Sequence, residues 1–529
     1  MSEMKVFIAD DVNDEKLAPL RDAGIEVQKE TKLSPEELID RLRDADGVIV
    51  RSATNITAEI MDASEKLRVI GRAGVGVDNI DVKAATSRGI VVMNAPDGNT
   101  ITTAEHTFAL LISMARNVPQ AHRKLQEGVW DKKSFVGVEL YGKTLGLIGL
   151  GRIGRHVAKI GKGFGMNVLA YDPFVSEEQA DELGIDTGTF DEVLAAADFL
   201  TIHTPVTKET RGMIGDDAFS KMKNGVRLVN CARGGLVDED ALLKAIEAGT
   251  VAGAALDVFT VEPLDKNSPL LNHPKIITTP HLGASTKEAQ EGVALTVSEQ
   301  IRDYLLTGEL RNAVNAPSLA ANELKSLQPY LDLAARLGRF QTQVLGEGGV
   351  DRVEIEYSGE LAEKDASPVT RAFLSGLLEN ISARINVVNA LHIADERGIA
   401  VTTSYKQVEK ESNFDIRTRV SSGDAEQIAC GRVYDDGEGR ITQIGDFSIE
   451  AVPKGFLLFT KNQDVPGVIG KLGTLLGENG VNISRFYLGR NEMGGEALAV
   501  IELDSKLEPG VLEDLRSVDS VITVKQVKL

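Results

Sequence analysis

Cysteine is scarce in this chain, with 2 (Cys231 and Cys430) among 529 residues. That excludes a disulfide framework or a cysteine-built metal centre, and it makes a reducing cytoplasm the expected compartment. Long apolar runs are missing too; none reaches the roughly 20 residues that a bilayer-spanning helix needs. The opening MSEMKVFIADDVNDEK lacks the basic-then-apolar profile of a secretion signal and predicts a first strand instead. Positive charge is in deficit. With 58 Lys and Arg against 79 Asp and Glu, the formal net charge of −21 speaks against nucleic acid as a partner, because phosphate backbones bind concentrated basic faces. An anionic ligand would need a local cationic exception on this acidic protein.

The composition is otherwise globular, and the length predicts roughly three to four domains. Short β-rich runs (KVFIAD, IEVQ, GVIVRS, LRVIGRAG) alternate with helical patterns near the N-terminus, where Ser34 and Glu37 form a capping box. Such alternation predicts a parallel, doubly wound sheet. A second α/β unit follows, with a helix over 102–115 and strands at KTLGLIG, NVLAYD, FLTIHTP, VRLVNCA, GAALDVF and KIITTP. A helix over 286–306 is long enough to return to the first unit. The expected fold is therefore two doubly wound Rossmann-like lobes, the first discontinuous (1–97 and 286–317) and the second at 98–285. An α+β intervening domain at 318–452 follows, with strands at EIEYSG, DIRTRVS and ITQIGDFSIEAV and a hairpin turn at DDGEG. Residues 455–529 read strand, helix, strand, strand, helix, strand, the order of a ferredoxin-like domain.

The strand at Leu145–Ile148 runs into Gly149-Leu150-Gly151-Arg152-Ile153-Gly154 and then a helix, which places backbone amides and a helix N-terminus where a pyrophosphate can bind. Asp172 ends the next strand, about 20 residues on, as a ribose-binding acid does. Its carboxylate would repel a 2′-phosphate, so NAD is the expected cofactor rather than NADP; Arg152, inside the turn, is expected to point at the pyrophosphate. Downstream lie Arg233 in NCARGG, Glu262 in VEP and His281 in PHLGAST. An imidazole can take a hydroxyl proton near neutral pH, a carboxylate can hold its tautomer, and a guanidinium can bind a carboxylate while polarising a carbonyl. Singly, each has a duller structural explanation. Together they suit removal of hydride and proton from a 2-hydroxy acid.

Over about the first 315 residues the chain resembles the D-isomer-specific 2-hydroxyacid dehydrogenases, through GLGRIGR, NCARGGLVDEDAL, AALDVFTVEP and TPHLGAST. The resemblance implies that Arg233, Glu262 and His281 are catalytic. It also implies NAD contacts at Gly149, Gly151, Arg152, Ile153, Gly154, Asp172, Thr204, Cys231, Ala232, Asp257, Val75, Gly283 and Ala284. Within the family, VRSATNIT and GRAGVGVDNID look like the branch acting on D-3-phosphoglycerate. That implies substrate contacts at Arg51, Arg72, Gly74 and Asn99, with Arg51 on the phosphate and the Ala73-Gly74-Val75 turn offering amides to the carboxylate. Lys132 or Lys133, after Trp130, would reach in from a neighbouring subunit of a homodimer or homotetramer.

The segment NQDVPGVIGKLGTLLGENGVNIS resembles an ACT domain. The resemblance implies L-serine as an effector at Asn462, Asp464 and Asn482, although Asn462 stands where bacterial relatives often carry His or Tyr. Some relatives bind anions through a basic cluster just before that domain. Here IGDFSIEAVPKG holds Asp446 and Glu450 with Lys454 as its one base, which argues against an anion site. The reading is thus NAD-dependent oxidation of 3-phosphoglycerate. The rivals are a reductase for hydroxypyruvate, glyoxylate or 2-oxoglutarate, and a non-catalytic NAD-sensing regulator.

Overall fold

A computed structural model describes residues 4–318, 321–345, 349–382, 384–406 and 414–529. The first sheet is built from β1 (Lys5–Ile8), β2 (Glu26–Lys29), β3 (Gly47–Val50), β4 (Val69–Arg72) and β5 (Val91–Asn94), all parallel and ordered β2-β1-β3-β4-β5. Its central strands are apolar without alternation because helices cover both faces; every residue of β3, GVIV, is buried. Ser34 and Glu37 close a reciprocal capping box at the helix Pro35–Leu42. One cover comes from far along the chain. The helix Lys287–Thr307, capped by Thr286, lays Val293, Ala294, Val297, Ile301 and Leu305 into the same core as Val6, Ile8, Val69 and Val91.

The second sheet holds β6 (Thr144–Ile148), β7 (Asn167–Tyr171), β8 (Asp186–Thr187), β9 (Phe199–Ile202), β10 (Val226–Asn230), β11 (Val251–Leu256) and β12 (Ile276–Thr278). Its order is β12-β11-β10-β9-β6-β7-β8, again all parallel. The third sheet is mixed: β13 (Arg352–Tyr357), β14 (Ala400–Tyr405), β15 (Ile416–Ser422), β16 (Ala425–Val433), β17 (Gly439–Ile444) and β18 (Phe447–Ala451), ordered β14-β13-β15-β16-β17-β18. The ITQIGDFSIEAV run, read from the sequence as one strand, is two, because Gly445 at φ 55° folds the chain back as an antiparallel pair. β14 and β16 were not anticipated. β14 pairs parallel with β13, and its side chains are largely exposed, so it lacks the apolar alternation that announces a strand.

The last sheet comprises β19 (Phe456–Gln463), β20 (Ile483–Arg490), β21 (Glu496–Leu503) and β22 (Val521–Lys528), antiparallel throughout in the order β20-β21-β19-β22, which is the ferredoxin-like arrangement. The third and fourth sheets share one core. Phe340, on the helix Ala321–Leu345, meets Phe459 of β19 edge to face at 5.9 Å. The third sheet's layer is tied to the first lobe by the amides of Asn386 and Asn389, which donate to the carbonyls of Gly89 (2.9 Å) and Ser87 (3.3 Å).

Candidate active site

Because the second sheet is all parallel, its strands end at one edge, and each exit loop there carries residues singled out above. From β12 come Thr279 to His281; from β11, Asp257 and Glu262; from β10, Cys231 to Arg233; from β9, Thr204; from β6, the glycine turn; from β7, Asp172. At about 4.8 Å between neighbouring strands, β11 to β7 spans roughly 19 Å, which suits an extended dinucleotide.

The glycine turn fits such a ligand. Gly149 has φ 97°, and a Cβ there would lie 2.6 Å from the His203 carbonyl oxygen; a Cβ at Gly154 would lie 2.2 Å from the Gly149 carbonyl oxygen. Gly151 faces open space and gives the helix Arg152–Gly163 no side-chain cap, so the helix's first amides remain available to a phosphate. Asp172 accepts hydrogen bonds from the amides of Leu150 (2.8 Å) and Phe174 (2.9 Å), which fix the carboxylate and leave lone pairs for ribose hydroxyls. Thr204 Oγ1 donates to Met213 Sδ at 3.9 Å, and the Ala232 amide to Asn230 Oδ1 at 3.0 Å. Burial pushes the Cys231 thiol up to about 12, so it is no nucleophile and can act only through its backbone.

Between the two lobes lies a cleft of about 740 Å³. The first lobe lines it with Arg51 and Arg72, the second with Asn99, Arg233, Glu262 and His281; Val75 and Ala284 line it too. His281 Nδ1 stands 2.7 Å from Glu262 Oε2. With an ionised carboxylate as acceptor, Nδ1 carries the proton and Nε2 is left as the basic nitrogen. The other Glu262 oxygen accepts from the Phe259 amide at 3.0 Å, fixing the carboxylate in turn. Three guanidiniums, Arg51, Arg72 and Arg233, stand close together in the cleft. Burial first, then the charges of Arg233 and Arg51, lower the pKa of Arg72 below its ordinary value. Arg72 Nε and Asn99 Oδ1 are buried with no hydrogen-bond partner in the protein, and both belong to residues lining the cleft. An anion would relieve the like-charge repulsion and satisfy Arg72.

Several expectations change. The Ala73 and Gly74 amides donate to the carbonyls of Val50 (2.8 Å) and Arg72 (2.7 Å), so they are not free for a substrate carboxylate, although both residues line the cleft. Arg152 Nε pairs across the lobes with Asp97 at 3.0 Å instead of pointing alone at a pyrophosphate. Asp257, expected to contact NAD, does not line the cleft, and neither do the glycine turn or Asp172. The Asp257 side chain is fully buried, accepting from Thr279 Oγ1 (2.6 Å) and from the amides of Leu282 and Gly283 (2.8 Å each). Lys132 and Lys133 lie outside their own chain's cleft, beside the exposed Trp130, so the expected reach into a neighbouring subunit stands unaltered. In the last domain Asn462 is buried with its amide on the Gln463 carbonyl (2.7 Å), Asp464 pairs with Arg490 (3.3 Å), and Asn482 donates to Asp504 (2.6 Å).

Two residues were missed. Asp78 lines the cleft and lies 3.5 Å from Arg233 Nε; its signal was the acid in GVGVDNID, just after the strand bearing Arg72. His106 sits behind the His281 loop, 3.2 Å from Asp257, and its signal was a histidine one helical turn from Thr102 and Thr103.

A glycine turn, an acid ending the next strand and a His–Glu pair between two parallel lobes suit a nucleotide-dependent dehydrogenase. Residues 108–283 match the NAD binding domain of the D-isomer specific 2-hydroxyacid dehydrogenases, 326–445 the D-3-phosphoglycerate dehydrogenase intervening domain, and 456–520 the ACT domain. The chain is 45% identical to a D-3-phosphoglycerate dehydrogenase of Archaeoglobus fulgidus, over 99% of this chain and 100% of that one. It is 43% identical to the Bacillus subtilis protein of that name, over 99% of each. It is also similar to the cofactor (NAD+)-bound 3-phosphoglycerate dehydrogenase structure from Entamoeba histolytica, with TM-score 0.51 and 31% identity over 60% of this chain and 100% of that one. The chain belongs to the D-isomer specific 2-hydroxyacid dehydrogenase family, in its D-3-phosphoglycerate dehydrogenase branch with intervening and ACT domains.

Proposed function

We propose that this chain oxidises D-3-phosphoglycerate to 3-phosphohydroxypyruvate with NAD, opening the phosphorylated route to L-serine. NAD, when held by the glycine turn and Asp172, supplies the hydride acceptor. The remaining work falls to the chain's own residues. His281 Nε2 takes the hydroxyl proton and passes it to solvent, while Glu262 holds the Nδ1–H tautomer and stabilises the imidazolium. Arg233 binds the carboxylate and draws electron density from the carbonyl as it forms; Arg51 and Arg72 hold the phosphate. Cys231 and Ala232, through their backbone, and Thr204 would help hold bound NAD.

The observation carrying this reading is the three guanidiniums gathered in one cleft of a chain with net charge −21, beside a His–Glu pair. A substrate with an anion at each end explains them. We assign L-serine as the effector of the ACT domain, and a cytoplasmic homodimer or homotetramer as the working form. The chain divides accordingly into 1–97 with 286–317, 98–285, 318–452 and 455–529. The test is NADH formation on D-3-phosphoglycerate, with NADP in place of NAD as one arm and added L-serine as another. The reading predicts turnover with NAD, at least tenfold less with NADP, and inhibition by serine. No turnover on any 2-hydroxy acid would overturn it.

A further inference from the structure

The proposed base, His281, sits in an unfavourable backbone conformation, with φ 54° in the left-handed region that non-glycine residues avoid. Neighbouring structure must hold it there. The His281 amide donates to the Asp257 carbonyl at 2.9 Å, and the next two amides, of Leu282 and Gly283, donate to the two oxygens of the Asp257 side chain at 2.8 Å each. Thr279 Oγ1 donates to the same carboxylate at 2.6 Å. From the other side, Thr103 Oγ1 donates to the Gly283 carbonyl at 2.9 Å. One carboxylate therefore carries the loop that carries the base.

That carboxylate is fully buried, and a buried charge is costly unless paired. His106 reaches it. One turn along from Thr102 and Thr103 on the helix Thr100–Ala115, His106 places Nε2 3.2 Å from Asp257 Oδ1 and 3.4 Å from Thr279 Oγ1. Burial alone would raise the Asp257 pKa, but hydrogen bonds from His106, Thr279 and the Leu282 amide outweigh it and hold the carboxylate below its usual range. His106 and Cys231 lie near enough to Asp257 for a metal to be conceivable. Against that, Asp257 already accepts four hydrogen bonds.

We infer that His106 is a positioning residue for the reaction: through Asp257 it holds the 279–283 loop, and with it the orientation of His281 and Glu262. This rests on His281 being the base, as proposed above. His106 does not itself line the cleft and reaches it only through Thr279 and Asp257, so its effect falls on the proton-transfer step more than on substrate capture.

The test compares His106→Leu with His106→Gln, whose amide can still donate to Asp257. For His106→Leu, kcat should fall about tenfold, the scale of losing one hydrogen bond to a buried charge. KM for the hydroxy acid should move less than about twofold, and the solvent deuterium isotope effect on kcat should rise as proton transfer becomes more limiting. His106→Gln should recover most of kcat. Hydrogen–deuterium exchange on the full chain gives a readout independent of turnover: peptides covering 279–285 should exchange faster in His106→Leu and return towards wild type in His106→Gln. Unchanged exchange at 279–285 in His106→Leu would overturn the inference. So would faster exchange throughout the second lobe that Gln does not correct, since that marks a merely structural role. A wild-type chain inactive on every hydroxy acid would sink the catalytic reading while leaving the exchange result to decide the anchoring.

Discussion

The cleft and the ACT domain were both expected to bind small molecules, and the residues expected to do so differ in whether a partner is already in place. In the cleft, Arg72 Nε and Asn99 Oδ1 are buried without partners, and three guanidiniums stand together against their mutual repulsion. In the ACT domain, Asn462, Asp464 and Asn482 each have a partner in their own chain. Groups held unsatisfied mark a site that one chain completes and that is ready for a ligand. Groups already satisfied must exchange partners before they can bind one, which costs affinity. On the proposed reading, Arg72 and Asn99 stand ready for a ligand, while effector binding by these three ACT-domain residues would need them to exchange partners.

Substitutions should separate the two regions, beginning with the largest effect. His281→Ala removes the proton acceptor, and kcat should fall roughly 10³-fold, within the range for a lost general base; steady-state NADH formation measures it. Arg72→Leu deletes one of the charged contacts proposed for the phosphate. KM for D-3-phosphoglycerate should rise roughly thirtyfold, as expected for a lost hydrogen bond between charged groups, and unphosphorylated D-glycerate should be affected far less. If both substrates suffer equally, Arg72 is not reading the phosphate. Asp464→Ala, on the pre-satisfied side, should shift the serine concentration giving half-inhibition by only about fivefold, a modest coupling change. No shift would remove Asp464 from the effector site.

The smallest effect concerns pH. His203, behind the glycine turn, is held neutral by burial with its pKa lowered from 6.5 to about 3. Between those values the unfolded chain binds a proton there that the folded chain does not. Stability is therefore full above pH 6.5 and declines as pH falls towards 3. His203→Gln should flatten the fall of melting temperature between pH 7 and 5 while changing little at pH 8. An unaltered slope would show that His203 is not buried in the neutral form.

What was legible in the sequence follows the same division. Gly149, Gly151 and Gly154 could be read because their spacing states a geometry, and Arg233, Glu262 and His281 because each leaves a strand at the same edge of a parallel sheet. Arg51 and Arg72 followed from the resemblance carried by VRSATNIT and GRAGVGVDNID. The amides of Ala73 and Gly74 could not be assigned, because whether they are free depends on a neighbouring strand's carbonyl at Val50 and on the local turn. His106 looked like helix interior until the fold brought residues 151 positions apart in sequence into contact. The Gly445 break was visible as a Gly-Asp pair but was outweighed by the apolar residues around it. In the ACT domain, sequence located Asn462, Asp464 and Asn482 by resemblance, yet their partners Arg490 and Asp504 come from other strands and loops.

The central claim is that the cleft's cations choose a substrate with two anionic ends. The most direct measurement is the ratio of kcat/KM for D-3-phosphoglycerate to that for D-glycerate with the wild-type chain and saturating NAD. At least two charged phosphate contacts predict a ratio of roughly 10³ or more. A ratio near one would mean that Arg51 and Arg72 serve some other purpose, and that the chain is a general 2-hydroxy acid dehydrogenase.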